Sequence, residues 1–399
     1  MKFIKDEKLL LIIVGVYTLA ATMVTTFANV YLLRYSGSLI VMSMYSLIRY
    51  GVLGLAAFVC AKLSTKIRVS YCLAIGLTLI TGAVLFLLAV KDRIATEIYL
   101  IYIVGFIWGS GEGFFWVTIN TLQQVITNIK TRAYFLGISG VLSNAMTIIA
   151  PILSTFIISI HNVELEGYYR MFQIAIIIFI FISVLSFFLH SGQVGKPFTL
   201  KTSYEGIKTD IHWRYVMVAQ FVWGVRDAAI MTLTGLLIYQ AVGSSTVYGQ
   251  WLSLFAVLAT ISNYVCGRIV NRKNRILCLT IGGVGLFFSG IVLLLGNRTG
   301  AMLHGILHYT FLAWIATPFS VIAMNVISEY AIQENLMGRT LAREFMIASG
   351  RVLGLFIVIV FAQLIPGVIG VNIGMVILYC FCLLFVVVNR YYHKHSNIQ

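Results

Sequence analysis

Long apolar runs separated by short polar punctuation run the length of the chain; one of them, Ile174 to Leu189, is interrupted only by Ser183 and Ser186. A helix needs about 20 predominantly apolar residues to cross a bilayer, whereas a barrel strand reads as about ten residues alternating between apolar and polar. The runs follow the first pattern. Cutting at the punctuation predicts twelve spans: residues 9–33, 39–61, 69–90, 98–127, 133–160, 170–190, 213–240, 247–267, 276–296, 300–328, 341–365 and 368–389. The fold class is therefore an all-α membrane protein. The longest polar stretch, residues 191–212, falls near the midpoint. It reads as a linker between an N-terminal six-helix bundle, 1–190, and a C-terminal one, 213–399.

Composition sharpens this picture. Of 399 residues, 60% are hydrophobic and 10% charged, against roughly 25% charged in a soluble domain. That deficit excludes an ordinary water-soluble protein. The net charge of +15 is spread over short loops, so it lacks the clustered footprint expected for nucleic acid. Assigning loops alternately puts twenty basic residues on one side and five on the other, with Arg49, Arg226 and Arg351 inside spans. By the positive-inside rule this predicts a multi-pass protein of the cell membrane, both termini cytoplasmic. The six cysteines lie in or beside apolar segments and read as small packing residues.

The two halves carry traces of duplication. At an offset of 206, Val59-Cys60 aligns with Val265-Cys266, Lys62 with Arg268, and Cys72-Leu73 and Ile75-Gly76 with Cys278-Leu279 and Ile281-Gly282. At nearly the same offset Trp108 falls opposite Trp314, Asn120 opposite Asn325 and Arg132 opposite Arg339.

Twelve helices in two parallel repeats, a basic mid-chain linker and basic loops after the second and eighth spans resemble the major facilitator superfamily of secondary transporters. The segment Ala57 to Lys66 (AFVCAKLSTK) stands where that family carries its glycine- and aspartate-containing gating loop, keeping basic Lys62 and Lys66 but not the acid. Met146 to Thr155 (MTIIAPILST) resembles a degenerate form of the family's antiporter motif in helix 5, with Ala150-Pro151 in place of Gly-Pro. Asn29-Val30-Tyr31-Leu32, Arg343-Glu344-Phe345 and Gly350-Arg351 look like a bacterial YqgE-like branch. The resemblance implies two pseudo-symmetric bundles around a central cavity lined by helices 1, 4, 7 and 10, with help from 2, 5, 8 and 11. It also implies gating roles for Lys62 and Arg268; Glu344, placed nearer the cytoplasm than Arg351, reads either as part of a gate-side pair or as a substrate contact.

An ionisable residue at bilayer depth is costly unless it meets a partner or a cavity, so such residues mark candidate sites. Midway along their spans lie Arg49, Glu112, Arg226, Asp227 and Arg351. Glu112 and Asp227 are the expected proton-coupling pair, with the three arginines as competing partners. The alternative is that these charges neutralise one another and hold helices together. Glu112 follows Gly105, Gly109 and Gly111 and precedes Gly113; glycines 105, 109 and 113 share a helix face suited to close packing, and Gly111 is a place for the helix to unwind. Trp108, Trp116 and Trp223 lie near the charges and are candidate walls for an amphipathic ligand. Helical periodicity sets Trp108 and Trp116 about 80° apart, so at most one fully faces a cavity. Glu344 lies seven residues from Arg351, on a common helix face. His304 and His308, spaced i,i+4, lack accompanying acids or cysteines and read as polar contacts rather than a metal site.

No P-loop, HExxH or GxSxG pattern occurs, so neither ATP-driven transport nor hydrolysis is expected, and no cofactor or enzymatic activity is assigned. The leading expectation is a monomeric, lipid-embedded secondary transporter for a small-molecule substrate. It would couple protons to export of an amphipathic compound by alternating access. Uptake or exchange of an anionic solute, a lipid flippase, and a non-transporting sensor or scaffold on the same fold stand as alternatives.

Overall fold

A computed structural model of the chain describes residues 4–127, 129–190, 204, 207–208, 210–271, 273–330 and 336–395. Twelve long helices carry the fold: α1 (Lys5–Ser36), α2 (Leu39–Leu63), α3 (Val69–Val90), α4 (Tyr99–Ile126), α5 (Ile129–Ser159) and α6 (Glu164–Ser186), then α7 (Ile211–Val242), α8 (Ser245–Ile269), α9 (Arg275–Val292), α10 (Arg298–Tyr330), α11 (Leu336–Leu364) and α12 (Val368–His395). Short 3-10 turns follow α3 (Lys91–Ala95) and α9 (Leu293–Leu295). Among the described residues, eleven of the twelve are long and apolar enough to span a bilayer. Every predicted span falls on one helix.

Helix ends move by up to six residues from the expected ones. α6 starts at Glu164, and its first turn holds Glu164 and Glu166, acids favoured at the positive end of a helix dipole. At the head of α1 the Glu7 carboxylate accepts the Ile4 N–H at 3.0 Å. At the head of α7 the Asp210 side chain accepts the backbone N–H groups of His212 and Trp213.

The 206-residue offset extends beyond the cysteine segments. α1 ends on Gly37 (φ 61°), whose N–H meets Leu33 O at 2.8 Å; α7 ends on Gly243 (φ 70°), whose N–H meets Tyr239 O at 2.8 Å. Both members of each pair are 206 residues apart. Lys62 lies over the Phe58 ring at 4.5 Å and Arg268 over the Tyr264 ring at 4.6 Å, again at that offset. In the next helices the register breaks. The Cys60 thiol points to Phe114 O in α4, but the Cys266 thiol points to Ala313 O in α10, which lies one residue before Trp314. Likewise Gly76 packs on Gly111, Phe114 and Phe115, and Gly282 on Trp314 and Ile315. Trp108 and Trp314 are therefore not structural equivalents, because the connection into α10 is shorter and α10 starts seven residues earlier than the offset requires. The side chain of Asn325 and that of Arg132 lie outside the described residues.

The chain groups into two compact units: Met1–Gly37 with Ile48–Phe198 and Ser245–Ser253, and Ser38–Leu47 with Thr199–Ser244 and Leu254–Gln399. In the first, Tyr168 and Ser245 share a hydrogen bond of 2.6 Å, and a Cβ on Gly249 would meet Thr155 Oγ1 at 1.7 Å, beside Pro151 inside α5. In the second, the Ser46 and Thr232 hydroxyls lie 3.2 Å apart. All six cysteines are free thiols, five of them buried.

A left-handed residue other than glycine costs about 1–2 kcal/mol. We expect Gly37→Ala and Gly243→Ala each to lower unfolding stability in detergent by that amount with helix content unchanged. Circular dichroism during denaturation checks this, and losses below about 0.3 kcal/mol would rule out the capping role.

Candidate functional site

Glycine decides how close the charged helices come. A Cβ on Gly109 of α4 would sit 2.1 Å from Arg49 O of α2, and one on Gly113 would sit 2.4 Å from Leu53 O. The two backbones therefore cross in direct contact, and this brings Glu112 within reach of Arg49. Arg49 donates from Nε to Glu112 Oε2 at 2.8 Å and from Nη2 to Oε1 at 2.6 Å, a bidentate fork. The residues are 5% and 7% exposed. Trp108 and Tyr50 flank the guanidinium at 5.5 and 5.2 Å from the ring centres. The Trp108 indole N–H is buried without an acceptor. Trp116 lies at the surface, its ring edge-on to Tyr17 and Phe115. Gly111 does not unwind α4, which is continuous through it; its missing Cβ lets α4 approach Gly76 and Ile80 of α3.

The second unit repeats the device on a different helix pair. Gly224 of α7 faces Ile347 O of α11 at 2.4 Å from a would-be Cβ, while Gly350 and Gly354 of α11 face Phe221 O and Val225 O at 2.3 and 1.7 Å. Across this crossing Arg351 donates from Nε and Nη2 to one oxygen of Asp227, at 2.9 and 2.7 Å. The Arg351 and Asp227 side chains keep 20% and 16% of their exposure, against 7% and 9% for Arg49 and Glu112. Asp227 is thus the less enclosed acid.

Arg226 belongs to neither pair. It is 2% exposed, and its guanidinium lies 3.8 Å from the centre of the Trp223 ring. No carboxylate pairs with it among the described residues, and its Nε has no acceptor. Trp223 in turn stacks on Phe319 and meets Phe385 edge-on. Arg226 lies close enough to His308, Tyr379 and Cys382 to interact with each electrostatically.

His304 and His308 are buried in hydrogen bonds rather than poised for a metal. His304 meets Thr234 and Ser289 at 3.2 and 2.9 Å, and His308 meets the Tyr379 hydroxyl at 2.9 Å. No group of three or more potential metal ligands occurs among the described residues. Sequence reading named neither Tyr379 nor Ser289; their one signal was a polar side chain inside a strongly apolar span. Glu344 accepts from Arg343 at 2.7 Å, while Arg351 turns to Asp227, so the shared face of Glu344 and Arg351 does not make them partners. Lys62 and Arg268 are exposed at the ends of α2 and α8, each over a ring one turn back.

A family model described as the Major Facilitator Superfamily matches residues 10–354. The chain belongs to the major facilitator superfamily. It is a multi-pass membrane protein with that superfamily's transporter fold. Among its relatives, the uncharacterized protein YqgE of Bacillus subtilis (strain 168) is 25% identical over 383 residues, 92% of this chain and 85% of that one. A Geobacillus stearothermophilus protein described as uncharacterized and encoded in the sodM 3' region is 32% identical over 155 residues, 39% of this chain and 71% of its own length. Among solved structures, the E. coli fucose:proton symporter superposes with a TM-score of 0.69 at 13% identity, covering 98% of this chain and 99% of that one. A D-xylose-proton symporter gives 0.71 at 13% identity, with 96% of each chain covered. A bacterial homologue of the iron transporter ferroportin, in an outward-facing state, gives 0.67 at 15% identity, covering 98% and 100%. These likenesses establish the fold.

Removing one member of a buried ion pair costs about 3–5 kcal/mol, whereas replacing both with apolar groups is often neutral. Glu112→Leu is therefore expected to lose stability on that scale, and the double variant Arg49→Met, Glu112→Leu to recover most of it. Chemical denaturation in detergent reads both; a double variant no better than the single one would show that the pair does not hold this crossing.

Proposed function

We propose that the chain is a proton-coupled secondary transporter of the cell membrane, with both termini cytoplasmic. Two halves, 1–190 and 213–399, work by alternating access. The observation that carries this reading is the unequal exposure of the two ion pairs. Arg49–Glu112 is sealed and holds α2 to α4, while Arg351–Asp227 lies midway along its helices and is less enclosed, so that water reaching it can deliver a proton. Parting Arg351 from Asp227 leaves two uncompensated charges in a medium where each costs several kcal/mol. A proton on the carboxylate and a ligand on the guanidinium remove both costs at once. Proton and substrate occupancy are thereby linked through one pair.

The leading substrate is an amphipathic small molecule, supported by the Trp223 ring over Arg226 and the Phe319 and Phe385 rings packed on Trp223, and the leading direction is export, supported by the helix-5 segment Met146 to Thr155. A second reading, uptake or exchange of an anionic solute, is favoured by one observation. Both mid-membrane acids are matched by arginines, so Arg226 leaves an unbalanced positive charge that a carboxylate or phosphate would complement. The fucose and D-xylose neighbours are proton symporters, which makes proton coupling a natural first test here.

In vesicles reconstituted with the purified chain and given an imposed pH gradient, ethidium movement would support export of amphipaths and benzoate movement the anionic reading. With whichever probe moves, Asp227→Asn should reduce gradient-driven flux at least about tenfold, the loss of about 1.4 kcal/mol of coupling, while Glu112→Gln retains the coupling ratio. Unchanged coupling in Asp227→Asn would overturn the proposed role. Absence of gradient-driven movement for both probes would favour the sensor or scaffold reading.

A further inference from the structure

Outside the ion pairs, α9 and α10 enclose a lateral groove of about 530 Å³. Ile281, Val284 and Phe288 of α9 and Leu307 and Phe311 of α10 make its walls, with Thr280 at the end nearest the head of α9. Its apolar walls are accessible, Ile281 and Val284 being 39% exposed and Phe288 54%. From Thr280 to Phe288 the helix rises about 12 Å, against roughly 15 Å for the hydrocarbon of one leaflet. A groove of that length fits one acyl chain from one leaflet.

Charge marks the Thr280 end. Arg390, near the end of α12, donates from Nη2 to Thr280 Oγ1 at 3.1 Å, so a guanidinium is anchored on a residue that lines the groove. The Thr280 hydroxyl is free to accept because it donates its own proton to Ile276 O at 2.7 Å. Arg275 meets His393 at 3.5 Å beside it. Arg390, His393, Lys394 and Lys273 are exposed. Neither α9 nor α12 contains an acidic residue. An apolar slot one leaflet deep, closed at its polar end by a guanidinium and neighbouring basic groups, has the two chemistries of an anionic phospholipid in one continuous surface.

We propose that this groove binds an anionic phospholipid, its acyl chain between α9 and α10 and its headgroup phosphate on Arg390. The site is separate from the transport reading and stands or falls without it. A zwitterionic lipid brings the same chain but its headgroup also carries a cation, which Arg390 repels. Each basic residue near the headgroup contributes about fivefold in affinity for an anionic lipid.

The test uses the full chain purified in uncharged detergent, with thermal unfolding followed against added dioleoylphosphatidylglycerol, dioleoylphosphatidylcholine or inorganic phosphate. The expected result is stabilisation by phosphatidylglycerol at a concentration at least about fivefold lower than by phosphatidylcholine, and none by phosphate. Arg390→Gln, at an exposed site, should cut that preference about fivefold, while Val284→Trp, which fills the groove, should weaken both lipids. Equal response to the two lipids, a preference untouched by Arg390→Gln, or full stabilisation by phosphate alone would each overturn the proposal. Count of lipids retained in native mass spectrometry gives a second readout, with one phosphatidylglycerol fewer expected on Val284→Trp.

Discussion

A charged side chain inside hydrocarbon has to be answered within a few ångströms, and in this chain that requirement goes together with where helices cross most closely. In both pairs arginine meets carboxylate where two backbones are pressed together, and glycine is what permits the pressing. Gly109 and Gly113 bring α4 onto α2 at Arg49, and Gly224, Gly350 and Gly354 bring α7 onto α11 at Asp227. Packing and electrostatics are thus one design. A larger side chain at any of these glycines would separate the helices and leave each charge to face lipid alone.

The two halves share a scaffold but not a chemistry. The helix-capping glycines, the cysteine segments and the cation-over-ring contacts recur at a constant offset, yet the ion pairs do not. Opposite Arg49 in the repeat stands Phe255, stacked on Tyr309 at 5.2 Å and in close contact with Gly305. The crossing that holds Arg351 and Asp227 in the second unit corresponds to α1 and α5 in the first, where Thr18 and Ser143 make a single 3.4 Å hydrogen bond. Duplication followed by divergence left one sealed pair and one partly open pair. That asymmetry is what the proposed proton exchange at Asp227 rests on.

How much of this was legible in the sequence follows from the range over which each force acts. The spans were legible because burying about 20 successive apolar residues is a local requirement that tertiary structure does not overrule. Arg49, Glu112, Asp227 and Arg351 were legible as a set, because ionised groups in apolar spans are conspicuous, but their partners were not. Pairing depends on which helices cross, and Gly111 shows how local reading misleads: its missing side chain admits α3 instead of loosening α4. The seven-residue shift of α10 was hidden because a shorter α9 and a shorter turn change register without changing hydropathy. Glu344 and Arg351 share a helix face, yet Arg343 lies nearer to the one and Asp227 to the other. The partners of His304 and His308 were invisible for the same reason, since Ser289, Thr234 and Tyr379 come from three other helices.

The account turns on Asp227 being the acid that changes protonation while Glu112 stays locked to Arg49. Infrared difference spectroscopy on the reconstituted chain, stepped between acid and neutral pH, reports protonated carboxyl groups directly. The account predicts a carboxylic-acid band that appears on acidification, vanishes in Asp227→Asn and persists in Glu112→Gln. A band that persists in Asp227→Asn and is lost in Glu112→Gln would contradict it.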